Sequence, residues 1–263
     1  MECHEKVTKN VVKDDLISKH SLKEYLFIDI EATGFSKETD KIFSIAIGYF
    51  DEVNNYIAEV LFEEEDELAL LKNFKNKTKN KKKWCTFNGR AFDEPFLQKR
   101  LEINNLKKCQ IEDHKDFYRI VSSYRKGFKL KGLSLKNVEE HLGIKRKDEI
   151  SGEECKDLYF KFIESKNEEI KNFMLLHNLE DVLFLPKFFY LLEEVEEKKL
   201  KRDDLIYKSQ IKLIKYLIDR RNPNIKKVEF SKISRKEAAR IIYHLRQTII
   251  DEKSINLIID RNK

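Results

Sequence analysis

The chain has 263 residues, enough for one large domain or one domain with a small extension. Its 41% apolar content and 18 Phe can fill a core, which excludes a disordered chain, and 7 Gly with 3 Pro argue against a turn-rich all-β protein. The net charge of +6 is uneven: residues 198–263 hold 19 Lys and Arg against 8 Asp and Glu, residues 1–197 hold 34 against 39, and this balance points either to a polyanionic partner or to a solvated lysine-rich face.

Residues 1–20 read as a polar arm. The run "EYLFIDIEATG" predicts a strand ending at a glycine turn. "KIFSIAIGYFD" and "NNYIAEVLFEE" predict two more strands joined by a hairpin turn at "DEVNN", so the three form a meander. "EEEDELALLKNFKNKTKN" has helical spacing, with acids first and lysines last as the helix dipole favours. "KKWCTFNG" is a short strand closing on Asn-Gly, and "AFDEPFLQKRLEI" follows as a helix. "LSLKNVEEHLG" predicts a helix with Ser134 as N-cap and Gly143 as its stop. "SGEECKDLYFKFIES" predicts another helix. The long stretch "NEEIKNFMLLHNLEDVLFLPKFFYLLEEVEEKK" predicts two helices, or one that bends near Pro186. Near residue 198 the composition turns basic, and "SQIKLIKYLIDRR" and "SRKEAARIIYHLRQTI" predict a helical hairpin across "NPNIKKVEF".

The four cysteines (Cys3, Cys85, Cys109, Cys155) contain no C-x-x-C pair, which fits reduced thiols rather than a disulfide scaffold or zinc site. The polar N-terminus has no apolar signal region and no stretch reaches transmembrane length, so the expected location is the cytoplasm, with no membrane partner.

Asp29 and Glu31 are the chemically unusual pair. They project from one face of an otherwise apolar strand, while Leu26, Ile28 and Ile30 project from the other. Two buried acids on one face repel each other and lose hydration, so a hard divalent cation is a natural stabiliser. Asp93, in "FNGRAFDEPFL", opens a helix just after the Asn-Gly turn. Asp181, in "HNLEDVLFL", lies one helical turn after His177, so the two share a face of a helix too apolar for a wide solvated stripe. Each acid has an ordinary reading as a solvent-facing strand residue, a helix-dipole acid or part of a polar stripe.

Taken together, strand D-x-E, then N-G-x-x-F-D, then H-x-x-x-D on a late helix resembles the DEDD exonuclease superfamily on the ribonuclease H-like fold, over roughly residues 24–195. The segment "LSLKNVEEHLGIKRKDEISGEECKDLYFKFI" followed by "LLHNLEDVLFLPKFF" is most similar to the YprB-like ribonuclease H-like domains. The resemblance implies an α/β fold with a mixed central sheet, an antiparallel meander followed by parallel strands, flanked by helices. The domain would span residues 21–197, with a small basic helical extension over residues 198–263. It implies that Asp29, Glu31, Asp93 and Asp181 hold two Mg²⁺ or Mn²⁺ ions and that His177 acts as general base or orients the attacking water. It also implies that Thr33, Gly34, Asn88, Gly89 and Phe92 contact the nucleic acid, and Asp116 matches an acid that supports the site in such domains. One departure stands out: the His-type branch places its His five residues before the last Asp. Here the separation is four, the spacing of the Tyr-type branch.

The expected function is therefore a metal-dependent 3′-to-5′ exonuclease on single-stranded DNA or RNA ends. The alternatives are a catalytically weak nucleic-acid-binding module and a ribonuclease H-type endonuclease. The basic tail either neutralises phosphates or keeps the protein soluble while its apolar stripe packs.

Overall fold

The computed structural model describes residues 2–148, 150–221, 225, 228–247 and 253–255. It divides into two units, residues 1–121 with 130–199, and residues 122–129 with 200–263.

The first unit opens with β1 (Glu2–Thr8) and α1 (Asp14–Lys19), followed by β2 (Tyr25–Ala32), β3 (Ile42–Phe50) and β4 (Tyr56–Phe62). Next come α2 (Glu67–Thr78), β5 (Lys83–Thr86), α3 (Asp93–Ile103) and β6 (Asp113–Asp116). After β6 the chain forms α4 (Phe117–Ser123) and the short α5 (Arg125–Phe128). The first unit then adds α6 (Leu135–His141), α7 (Gly152–Ser165), α8 (Glu168–Leu183), a 3₁₀ turn at Leu185–Phe189 and α9 (Tyr190–Glu197).

The six strands form one sheet in the order β1-β4-β3-β2-β5-β6. β1, β4, β3 and β2 pair antiparallel in turn, and β5 and β6 add parallel to β2. This is the mixed sheet expected, with a meander followed by parallel strands. Two strands differ from the sequence reading. Residues 2–8, expected as part of a polar arm, are an edge strand in register with β4. "DHKD" adds β6 beside β5. The stretch around Pro186 resolves into α8, the 3₁₀ turn and α9, with the proline at the start of the turn, where its missing N–H costs nothing.

Alternation along β2 sorts its side chains between two layers. Leu26, Ile28 and Ile30 pack with Leu70, Leu71 and Phe74 of α2 and with Phe96, Leu97 and Leu101 of α3. On the opposite face Phe27 packs edge-on against Tyr56 and Phe189. The Tyr56 hydroxyl donates to the Val182 carbonyl at 2.8 Å, which ties the C-terminal turns of α8 to the sheet. A Cβ at Gly48 would lie 1.9 Å from that hydroxyl, so β3 needs glycine there.

The second unit is built on α10 (Lys208–Arg221) and α11 (Arg235–Gln247). Ile214, Leu217 and Ile218 of α10 meet Ala238, Ile241 and Leu245 of α11, so the apolar stripes of the expected hairpin do pack. Most of the connecting segment, including Lys226 and Lys227, lies outside the described residues, as do the last two residues of the second predicted helix. Among the described residues no helix is long and apolar enough to cross a membrane.

Candidate metal centre and cleft

The C-terminal ends of β2 and β5 and the N-terminus of α3 converge under α8 beside a cleft of about 800 Å³. β2 carries Asp29 and Glu31 to the cleft, and its pairing register with β3 shifts between Glu31 and Ala32, a bulge of the kind that re-aims side chains at sites. β5 pairs with β2 only as far as Phe27 and Cys85, which leaves the Ile30 N–H beyond the shared ladder. Asp93, at the start of α3, accepts that N–H at 3.0 Å. Asp93 is thereby fixed to the acid-bearing strand.

α8 brings His177, Asn178 and Asp181 against the same end of β2. Carboxylate oxygens of Asp29, Glu31 and Asp181 lie within 4.8 Å of one another. Asp93 is outside this trio but lines the same cleft. His177 Nε2 stands 3.4 Å from Glu31 Oε1 and 3.6 Å from Asp181 Oδ2. Asn178 Nδ2 donates to Asp29 Oδ2 at 2.9 Å, and Ser44 Oγ donates to Asn178 Oδ1 at 2.5 Å.

The electrostatics follow from crowding acids out of water. Burial, reinforced by Asp181, Asp93 and Glu31, holds Asp29 well above the usual carboxylate range. Burial raises Glu31 as well, against an opposing pull from His177. Asp93 is pushed up to about 7, mainly by burial. Burial by itself would lower His177, but Asp181, Asp148 and Glu31 outweigh it and raise the imidazole to about 11. Such a cluster is short of positive charge. Its carboxylate oxygens suit a hard divalent cation such as Mg²⁺ or Mn²⁺, so the donor set fits the expected metals. Cys155 Sγ also lies within 4.8 Å of ligand atoms of Glu31 and His177. Its thiol is fully buried and held protonated, which leaves it a poor ligand.

The predicted nucleic-acid contacts divide. Gly34, Asn88 and Phe92 line the cleft, whereas Thr33 and Gly89 lie outside its lining. Thr33 instead pairs with Lys41, accepting its N–H on Oγ1 at 3.0 Å and donating its own N–H to the Lys41 carbonyl at 2.9 Å. Gly89 packs against Thr86, leaving no room for a Cβ. Asn88 has φ +67°, a left-handed conformation that asparagine tolerates better than most residues. Asp116 holds this turn by accepting the N–H groups of Asn88 at 2.8 Å and Arg90 at 3.2 Å. Asp116 therefore shapes the cleft edge.

Several cleft residues gave no signal in the sequence. Phe35 is 86% exposed and meets Phe92 edge-on, while Phe87 and Tyr118 line the same cleft. Arg146 is a buried cation among acids, donating to Asp181 Oδ1 at 2.5 Å and Asp148 Oδ2 at 2.9 Å. Asp148 Oδ2 also accepts His177 Nδ1 at 2.7 Å.

A search of the curated proteins finds no match. Among solved structures, the family B DNA polymerase of the archaeon Pyrobaculum calidifontis aligns with TM-score 0.50 at 17% identity, covering 65% of this chain and 24% of the polymerase. The zinc-bound complex of E. coli exonuclease I with single-stranded DNA aligns with TM-score 0.45 at 14% identity, covering 77% of this chain and 45% of that one. The same exonuclease with a dT13 oligonucleotide aligns at TM-score 0.42 and 13% identity, over 75% of this chain and 44% of that one. The chain thus spans about a quarter of the polymerase and under half of the exonuclease. The family model of the RNase_H superfamily matches residues 26–193, which contain the whole acid cluster and all of the sheet except β1 and the first residue of β2. With its ribonuclease H-like sheet and a match over more than half its length, the chain belongs to the RNase_H superfamily.

Proposed function

We propose that the chain is a metal-dependent nuclease, a DEDD-type 3′-to-5′ exonuclease acting on single-stranded DNA or RNA ends, of the YprB-like kind within its superfamily. The observation that carries this reading is the convergence of Asp29, Glu31 and Asp181 within 4.8 Å, with Asp93 in the same cleft. Asp29, Glu31, Asp93 and Asp181 would hold two divalent cations, Mg²⁺ or Mn²⁺, which would supply Lewis-acid stabilisation of the attacking and leaving oxygens.

The chain's own residues bind, orient and move a proton. Phe35, Phe87, Phe92 and Tyr118 offer π-faces on which bases of any identity can stack. Asn178 holds Asp29, and the Ile30 N–H holds Asp93, so the acids keep their orientation. A water oxygen attacks phosphorus, the P–O3′ bond breaks, and the water proton passes to Nε2 of neutral His177. The leaving 3′ oxygen takes a proton from solvent, releasing a 5′-mononucleotide. His177 is held protonated by the uncompensated acids, so it can accept a proton only when their charge is offset.

The test is release of mononucleotides from labelled single-stranded DNA and RNA, for wild type and Asp29→Asn, with Mg²⁺, Mn²⁺ or EDTA. The expected result is a loss of at least about 100-fold in the variant and in EDTA. Equal rates in variant and wild type overturn the assignment. Cleavage of circular or end-blocked strands would make it an endonuclease instead. One observation favours a second reading, a binding module with weak catalysis: Arg146 already occupies Oδ1 of Asp181. Tight strand binding without cleavage in either metal would select that reading.

A further inference from the structure

His177 sits four residues before Asp181, so helical geometry alone places both on one face without fixing which ring nitrogen points at the acids. The loop between α6 and α7 supplies what the helix does not. Glu180 Oε2 accepts the backbone N–H groups of Lys147 at 2.9 Å and Asp148 at 3.0 Å, which pins this loop to α8. Asp148 Oδ1 accepts the N–H of Ile150 at 2.9 Å. Its Oδ2 takes two donors, Arg146 Nη2 at 2.9 Å and His177 Nδ1 at 2.7 Å. Arg146 Nη2 also reaches the carbonyl of His177 at 3.2 Å, so the same pair grips this residue by its ring and by its backbone. The Asp148 side chain is fully buried and the His177 ring is 5% exposed, so water does not compete for the bond.

We propose that Asp148, braced by Arg146, is a positioning residue that fixes the ring orientation and tautomer of His177, holding the proton on Nδ1 and turning Nε2 toward Glu31 and Asp181. The proposal rests on the nuclease reading for its catalytic consequence, but not for the tautomer. A carboxylate can only accept, so the nitrogen facing Asp148 is the donor. Neutral His177 then presents a bare Nε2 to the cleft, the form that can take a proton from water. Without the carboxylate the ring can hold its proton on Nε2 or rotate, and both states waste the base.

The test uses long-range ¹H–¹⁵N spectra of the full chain in EDTA, with the His177 signals assigned by their loss in His177→Ala. The expected result in wild type is a protonated Nδ1 with a low-field proton held in a short hydrogen bond. In EDTA, where the ring holds both protons, a low-field proton on Nε2 instead of Nδ1 overturns the proposal whether or not the chain is a nuclease. Asp148→Asn should lose the low-field proton, and Asp148→Glu, which keeps the carboxylate, should retain it. In the cleavage assay Asp148→Asn should lower kcat by about 10–1000-fold with KM nearly unchanged. In a His177→Ala background the same change should cost less than about twofold, because the residue through which it acts is gone. An equal loss in both backgrounds overturns the proposal. If wild type cleaves nothing, the spectra still decide which ring nitrogen Asp148 holds, while the nuclease reading alone fails.

Discussion

Replacing Asp93 by Asn should stabilise the metal-free protein, and by an amount that depends on pH. Raising a carboxyl from 3.8 to about 7 corresponds to about 4 kcal/mol at 1.36 kcal/mol for each unit of pKa. The folded state binds this proton more tightly than the unfolded state does. The contribution is therefore fully present below pH 4 and is lost as pH rises through about 7. At pH 8 in EDTA the wild type bears the whole cost of a buried charge. Asparagine carries no charge but adds buried N–H groups, whose lost hydration costs about 1–2 kcal/mol. The net expectation at pH 8 is about 2 kcal/mol in favour of the variant, a rise in melting temperature of about 4–8 °C. At pH 4.5 folded Asp93 is protonated while the unfolded chain's Asp93 is still mostly ionised, so only about 1 kcal/mol of the cost remains. The asparagine's own burial cost cancels it, and the advantage should vanish. Saturating Mg²⁺ should reverse the order, since wild type gains about 2.7 kcal/mol at 100 times Kd and a variant lacking one ligand gains less. Calorimetry across pH 4.5–8, with EDTA and with Mg²⁺, gives the readout. A variant less stable than wild type at pH 8 in EDTA, or a difference that ignores pH, would refute the reasoning.

Three further outcomes follow from other parts of the structure. Arg100 meets buried Glu67 through Nε at 2.8 Å and Nη2 at 2.6 Å, while Glu67 Oε1 also accepts the Ile42 N–H. Arg100→Met should cost about 3–5 kcal/mol in urea unfolding, and adding Glu67→Leu should recover most of it; a single-variant loss under about 1 kcal/mol contradicts this. Gly48→Ala forces a Cβ onto the Tyr56 hydroxyl and should cost about 1–3 kcal/mol, read by the same titration. Phe35→Ala should leave the melting temperature unchanged yet weaken single-strand binding by about 5–100-fold, as expected for losing one stacking platform; unchanged affinity in fluorescence anisotropy excludes Phe35 from the strand path.

The legibility of this chain follows from where its information is local. β2, β3 and β4 announce themselves because their side chains pack on a sheet face and the run of apolar residues says so. β1 does not, because "ECHEKVT" joins the sheet through backbone pairing at an edge, which polar residues can do equally well. β6 is four residues long and holds His114 and Asp116, whose partners lie on α3 and in the Asn88 turn. In the candidate site, Asp29, Glu31 and Asp181 were visible as acids inside apolar runs. Asp148 and Arg146 were not. Their contacts reach across about thirty residues to α8, and no helical or strand period relates the two segments.

The chain Ser44, Asn178, Asp29 has a consequence for how the cleft reads charge. An amide can present its carbonyl or its NH₂ to a neighbour, and the two faces have nearly the same shape. Here the Ser44 hydroxyl donates to Asn178 Oδ1 and the NH₂ faces Asp29; with the amide flipped, the same hydroxyl would accept from the NH₂ and the carbonyl would face Asp29. A donor there favours the ionised carboxylate, whereas a flipped amide would favour the protonated acid and blunt its grip on a cation. The relay from Ser44 through Asn178 to Asp29 thus has two polarities, and the one present supports the charged form of the acid.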